Sequence, residues 1–261
     1  MVRLVNLHKS FGKLQVLTGV NLDIPRGKTT VILGPSGTGK SVLLKLITGL
    51  LAPDKGEVWF DGIRVDQANE EQLIAIRRRL GFLFQMGALF DSMTVGQNIC
   101  FPLVEHTKLS PIHQAQRCDQ VLRMVGLGGI ETKMPAELSG GQRKRVGLAR
   151  AIVLEPELVL YDEPTTGLDP IRSDVINELI LSLRQRVRVT GVVVTHDMAS
   201  ARKVADRMVM LYDGKIIAQG EPDAFLNTTE PIVQRFIQGQ ADEEDLQRIR
   251  AGFEGINVNQ T

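Results

Sequence analysis

Residues 34–41, GPSGTGKS, match G-x-x-x-x-G-K-[ST] and stand between a strand-like run, TTVILG, and a helix-like one, VLLKLITGLL. In that context Gly34, Gly37 and Gly39 let backbone N–H groups wrap phosphates, with Pro35, Ser36 and Thr38 completing the loop and a helix dipole behind it. Lys40 is expected to reach the β- and γ-phosphates of a nucleotide, and the Ser41 hydroxyl to bind Mg²⁺. Val42 stands where many such loops carry a second hydroxyl; only a side-chain hydrogen bond is lost, because its backbone donor remains. A second stretch, LVLYDEP, ends a buried apolar run in two carboxylates. Asp162 suits a Mg²⁺ shell, through water, and Glu163 suits the base that polarises an attacking water. Gln85 closes GFLFQ and His196 closes TGVVVTH. Either alone reads as a satisfied polar residue at a strand end. Ligands of a parallel sheet, however, gather at the carboxyl ends of its strands. Gln85 is therefore expected to bind Mg²⁺ or water, and His196 to contact the γ-phosphate. A second glycine-rich turn, LSGGQ at 138–142, opens a basic helical run although a phosphate loop already exists about a hundred residues earlier.

The elements that must position these residues are legible from periodicity and punctuation. VRLVNL, KLQVLTGV, VNLDI and EVWFDGIRV read as short strands of a mostly antiparallel layer. Leu43, Leu46, Ile47 and Leu50 fall at helical spacing after the phosphate loop. EQLIAIRRRL reads as a helix and GFLFQ as a strand; from Gln85 to Pro156 helical stretches follow with no β signal. One of them has Ser110 as N-cap, Pro111 at its first position and Gly126 as its stop. LDPIRSDVINELILSLRQ is expected to be a helix capped by Asp169, with Pro170 in its first turn, and RMVMLYDGKIIAQG a hairpin on Asp213-Gly214. Strands alternating with helices imply a parallel sheet flanked by helices.

At 261 residues the chain can hold one α/β domain with a sub-lobe but not a third domain. Its 31 basic and 30 acidic residues give a net charge of +1, which supplies no field for nonspecific nucleic-acid binding, so no nucleic-acid partner is expected. Cys100 and Cys118 lack C-x-x-C spacing and are expected to be free core thiols in a reducing compartment. MVRLVNLHKS lacks the apolar core of a signal peptide and no apolar run reaches a membrane span, so the chain is expected to be soluble. The tail ADEEDLQRIRAGFEGINVNQT is expected to form a short helix with a loose end.

The phosphate loop, Gln85, LSGGQ, LVLYDEP, GLDP and His196 stand in one order with cassette-like spacing. Over about residues 1–238 the chain resembles the ATP-binding subunits of ABC transporters. The resemblance implies an α/β P-loop NTPase fold of the ABC ATPase type: a mixed, mainly parallel core sheet, an antiparallel β subdomain and a helical subdomain at about 86–156, followed by a C-terminal tail over 239–261. It implies that two chains pair head to tail as a homodimer around two ATP molecules with Mg²⁺. Ser139, Gly140, Gly141 and Gln142 of one chain would then contact the ATP held by the phosphate loop of the other. Asp169, in GLDP, matches the family's loop that communicates across that interface, although capping alone would also explain it. Phe11, in KSFGKLQ, matches the position where the family stacks a ring on adenine, a core phenylalanine being the other reading.

Residues 83–107, LFQMGALFDSMTVGQNICFPLVEHT, are most similar to the Mla/Mkl group of phospholipid-transport ATPases. That likeness implies work at the cytoplasmic side of a bacterial inner membrane, moving phospholipid between inner and outer membranes to maintain lipid asymmetry. The implied partners are an MlaE-like integral-membrane permease, an MlaD-like MCE-domain lipid carrier and an MlaB-like STAS-type regulatory subunit. An ATPase of a small-solute importer, for amino acids or osmolytes, is the alternative. A DNA-repair or chromosome ATPase of the superfamily would need a long insertion before LSGGQ, and a translation factor would need two phosphate loops. Met86, Ala88, Leu89, Phe90 and Met93 follow Gln85 directly. They are expected to receive a short permease helix or, on the other reading, to fill the helical lobe's own core.

Overall fold

The computed structural model describes residues 1–241, 246–248, 250 and 251. Strands β1 (Val2–Phe11) and β2 (Leu14–Ile24) form a hairpin; β3 (Thr29–Leu33) enters a second sheet and feeds α1 (Lys40–Ile47). The chain then returns to the first sheet with β4 (Lys55–Phe60) and β5 (Ile63–Arg64), and reaches β6 (Leu80–Leu83) through α2 (Glu70–Arg77). Three helices follow, α3 (Val95–His106), α4 (Pro111–Met124) and α5 (Gly140–Ile152), before β7 (Leu158–Asp162), α6 (Pro170–Ser182), β8 (Thr190–Thr195), α7 (Met198–Val204), the β9 (Arg207–Tyr212)/β10 (Lys215–Gly220) hairpin, α8 (Pro222–Leu226) and α9 (Pro231–Gln238).

The first sheet, in order β2-β1-β4-β5, is antiparallel throughout. The second runs β10-β9-β3-β8-β7-β6 and is parallel from β9 to β6, with β10 antiparallel at its edge. This is the mixed, mainly parallel sheet of the expected fold. The predicted caps are present: Ser110 and Asp169 accept N–H groups of α4 and α6, and Pro111 and Pro170 follow them. Asp213 and Gly214 both take positive φ, 46° and 70°, as a two-residue hairpin with a right-handed twist requires.

Two corrections come with the fold. KLQVLTGV and VNLDI are not separate strands but parts of the single strand β2. Gly19, at φ 89°, absorbs a bulge where the β1/β2 register shifts, so the glycine bends the strand without ending it. Cys100 and Cys118 are not free thiols; they are disulfide-bonded, with their Cα atoms 5.8 Å apart. Residues 18 apart in sequence meet because α3 packs against α4, a proximity that local spacing rules do not reveal. The expected tail lies largely outside the described residues, its loose end wholly so.

Alternation along the central strands builds two cores, one on each face of the parallel sheet. Val31, Leu33, Val159, Tyr161 and Val193 face the helices, where Ile99, Leu103, Val121, Leu122 and Val146 join them. Ile32, Leu160, Val192 and Val194 face the other way, onto α1 and the antiparallel sheet, through Leu43, Ile47, Leu4, Leu7 and Phe60. The phosphate loop is thereby fixed between two packed layers. Gly56 in β4 is a point of close approach: at φ +94° a Cβ there would lie 2.3 Å from the Asn6 carbonyl oxygen and 2.5 Å from that of Val5. Gly56→Ala should therefore destabilise the fold by about 2–4 kcal/mol in denaturant unfolding, because backbone must move and the residue is strained besides. An unchanged midpoint would contradict this packing.

Candidate functional site

The carboxyl ends of β3, β7 and β8 carry Gly34, Asp162 and Thr195 side by side, since these three strands are neighbours in one parallel register. Beyond β3 the chain turns through Gly34–Gly39 into α1. Gly34 has no room for a side chain, since a Cβ would lie 2.2 Å from the Leu211 carbonyl oxygen. Whereas α2 to α7 each have their first turn capped by a side chain, α1 starts at Gly39 with no side-chain cap. Its first N–H groups face the loop, the arrangement that binds phosphate.

Lys40 is 5% exposed, and its ammonium donates to the carbonyls of Gly34 (2.8 Å) and Pro35 (2.9 Å) and lies 3.6 Å from Glu163 Oε1. Burial lowers its pKa, and Glu163 opposes that shift. The Ser41 hydroxyl donates to Asp162 Oδ1 at 2.7 Å. Burial raises the Asp162 carboxyl's pKa, with the Ser41 bond acting in the opposite direction. Glu163, just past β7, has φ 48°, a left-handed conformation unusual for a glutamate, and is 9% exposed. Its Oε2 accepts from the hydroxyls of Thr166 (3.0 Å) and Thr195 (3.3 Å), and His196 Nδ1 lies 3.0 Å from Oε1. One side-chain cluster thus brings together an ammonium, a hydroxyl and two carboxylates, with an imidazole beside it.

That set can bind a triphosphate and hold a water. Ser41 and Asp162 also fit a hard divalent cation: two oxygen donors stand together, and no cluster of three His, Cys, Asp or Glu that would cage a metal by itself exists among the described residues. Mg²⁺ keeps several waters and takes phosphate oxygens, so two protein ligands suffice.

The structure brings Lys40, Ser41, Asp162, Glu163 and His196 together. Gln85 stands apart, in an exposed turn beyond the end of β6, and none of the cluster's hydrogen bonds includes it. The Val42 side chain packs on the apolar core beneath the antiparallel sheet, so whatever it offers a nucleotide comes from its backbone. Phe11 is not a core residue: it ends β1, 47% exposed. Next to it, Leu14, Val16 and residues 35–38 border a cavity of about 670 Å³. Asp169 spends its carboxylate on α6, accepting from Arg172 N–H at 2.9 Å.

LSGGQ is a self-capped helix start. Ser139 Oγ accepts the Gln142 N–H (3.3 Å) and Gln142 Oε1 accepts the Ser139 N–H (2.9 Å). None of the hydrogen bonds or ion pairs of loop 34–41 reaches it. A Cβ on Gly140 would meet nothing closer than 4.0 Å, and one on Gly141 nothing closer than 3.6 Å. Alanine would fit both places in this chain without a clash. The chain's own packing therefore does not require these glycines.

Sequence reasoning did not single out Thr166, Thr195, Lys144 or Asn98. Thr195, 32 residues from Glu163, became relevant only once β7 and β8 were neighbours, whereas Thr166 reaches Glu163 from three residues on. Asn98, fully buried, accepts from the Phe90 N–H and donates to the carbonyls of Phe90, Met93 and Thr94, pinning the loop after Gln85. That loop leaves Met86 75% and Phe90 43% exposed, while Leu89 packs on the core. With Ile74, Phe82, Phe84 and Phe101, Phe90 lines an apolar groove of about 530 Å³.

A family model described as "ABC transporter" matches residues 17–166. The chain is 44% identical over 239 residues to a probable ribonucleotide transport ATP-binding protein, mkl, of Mycobacterium leprae, covering 92% of this chain and 69% of the relative. It spans 65% of the corresponding Mycobacterium tuberculosis proteins. It is also 44% identical to MlaF, the intermembrane phospholipid transport system ATP-binding protein of Escherichia coli, covering 88% and 86% of the two chains. Among solved structures, a dimeric post-hydrolysis state of the ATP-binding cassette MJ0796 bound to ADP and phosphate superimposes with a TM-score of 0.79 at 35% identity, covering 85% of this chain and 98% of that one. CbiO1 of Clostridium perfringens, part of an ABC transporter complex, gives 0.80 at 30% identity over 97% and 98%.

Proposed function

Since the chain belongs to the ABC transporter family as an ATP-hydrolysing subunit, we propose that it works as a head-to-tail homodimer that closes around two ATP molecules and powers phospholipid transport between membranes. The phosphate loop and α1 hold the triphosphate, Lys40 contacting the β- and γ-phosphates and Phe11 stacking on adenine. Ser41 and Asp162 would hold Mg²⁺, which neutralises phosphate charge when bound. Glu163 accepts a proton from the attacking water. His196, hydrogen-bonded to Glu163, orients that carboxylate and faces the γ-phosphate. Asp169 lies on the loop that meets the second chain.

The observation that carries the composite site is the pair of glycines at 140 and 141, placed at a helix start with no crowding from their own chain. A backbone that must be approached closely by a phosphate from outside accounts for them. The observation that carries the lipid reading is the likeness to a relative named for intermembrane phospholipid transport, of which this chain spans 86%. The mycobacterial relatives' name, ribonucleotide transport, keeps a small-solute system as the second reading. Among the described residues no helix is long and apolar enough to cross a membrane, so membrane attachment goes through a permease. The groove at Phe90 is the docking place for that permease's cytoplasmic helix, with Gln85, next in sequence to the groove residue Phe84, reporting nucleotide state.

Capture of the native complex tests the substrate class. A permease with an MCE-domain carrier, with or without a STAS-type subunit, supports lipid; a periplasmic solute-binding protein contradicts it. Phe90→Asp should leave the subunit folded, with its intrinsic ATPase rate retained, while permease binding falls at least about tenfold, as loss of a central aromatic anchor predicts. A folded variant that still binds the permease normally would remove the groove from this role.

A further inference from the structure

Lys144, on the second turn of α5, is 5% exposed, and its ammonium is matched by three carbonyls: Glu163 at 3.2 Å, Pro164 at 2.9 Å and Thr166 at 2.7 Å. All three belong to the segment that carries the Glu163 carboxylate and runs on to Asp169. We infer that Lys144 is a positioning residue for Glu163, anchoring the strained backbone at the end of β7 to the helix that begins with LSGGQ.

Three features support the assignment. An ammonium has three protons to give, and three carbonyls converge on it, so the site is built for a donor and not for packing alone. The placement is costly in stability, because burial pushes this lysine down to about 8 against the opposing pull of the Glu163 charge. A methionine of similar length would fill the space without that desolvation. Finally, Glu163 at φ 48° needs surroundings that over-determine it. Its own N–H bonds to the Val194 carbonyl at 3.0 Å, and Lys144 takes the carbonyl on the other side. With both peptide groups held, the carboxylate stays aimed between the hydroxyls of Thr166 and Thr195 and the His196 ring. If the lysine is lost, the segment relaxes and the carboxylate drifts.

This inference rests on Glu163 being the base for hydrolysis, so the experiment carries that assignment as a separate arm. Lys144→Met, Lys144→Gln and Glu163→Gln are made in the full chain and compared with wild type for ATPase kinetics, binding of a fluorescent ATP analogue and thermal unfolding. Lys144→Met should lower kcat about 10- to 100-fold, the scale of a misplaced catalytic group, with KM and analogue binding within about threefold. Lys144→Gln, which keeps two donors on a shorter arm, should fall between Lys144→Met and wild type. Wild-type kcat in either folded variant overturns the inference, as does a parallel loss of binding and turnover, which would mark a structural role only. If Lys144→Met fails to fold, Lys144→Gln decides by the same criteria. Normal turnover in Glu163→Gln would dismiss the base assignment and this inference with it. An inactive Glu163→Gln beside a wild-type Lys144→Gln would overturn the lysine's role alone.

Discussion

Glu163→Gln is expected to bind ATP as the wild type does and to hydrolyse it about 10²-fold more slowly or worse, the usual cost of losing a general base. The exchange is nearly isosteric, and its surroundings can accommodate it. The hydroxyls of Thr166 and Thr195 that now donate to Oε2 can rotate to accept from an amide, and His196 can present either ring tautomer to the other atom. Folding, and nucleotide binding by the phosphate loop, Lys40 and Ser41 as proposed, should therefore survive. An amide, however, cannot take a proton from water. Phosphate release measured beside equilibrium ATP binding separates the two effects. Near-normal turnover would remove Glu163 from the chemistry. A loss of binding would instead make its contact with Lys40, 3.6 Å away, the important one.

How far the sequence discloses this site depends on whether a residue's partners are near it in the chain. GPSGTGKS was legible because strand, loop and helix are contiguous, although the lack of space at Gly34 comes from the distant Leu211 and shows only in the fold. Asp162 and Glu163 were legible because an apolar strand that ends in carboxylates is a local signal. The caps at Ser110 and Asp169 are likewise contained within four residues. Thr195 and Lys144 gave no such signal. Each becomes meaningful only after β7, β8 and α5 assemble, and a lysine in a basic helical run reads as solvated until its ammonium is found under three carbonyls. The disulfide fails for the same reason, since it depends on how α3 and α4 pack. Gly19 shows the converse limit: a glycine within a strand pattern marks either a turn or a bulge, and only the pairing with β1 decides between them.

In the proposed dimer the two glycine-rich loops serve one ATP site from two different chains. Lys40→Ala should abolish productive phosphate binding, because it removes a buried ammonium that nothing nearby can replace. Ser139→Arg should leave the phosphate loop intact but place a bulky cation where a neighbouring chain's γ-phosphate must arrive. Each variant alone should therefore hold no ATP within a dimer. The two lesions behave differently when combined. In a head-to-tail pair of one Lys40→Ala chain and one Ser139→Arg chain, both defects fall on the same composite site, and the other site keeps two sound halves. If LSGGQ served its own chain's nucleotide, every site in that pair would be damaged. The decisive measurement is the amount of ATP retained by the mixed dimer, isolated through a different affinity tag on each chain. About one ATP per mixed dimer is expected, from two-fold symmetry with one site disabled, against almost none in either parent. Retention no greater than in the parent variants would contradict it.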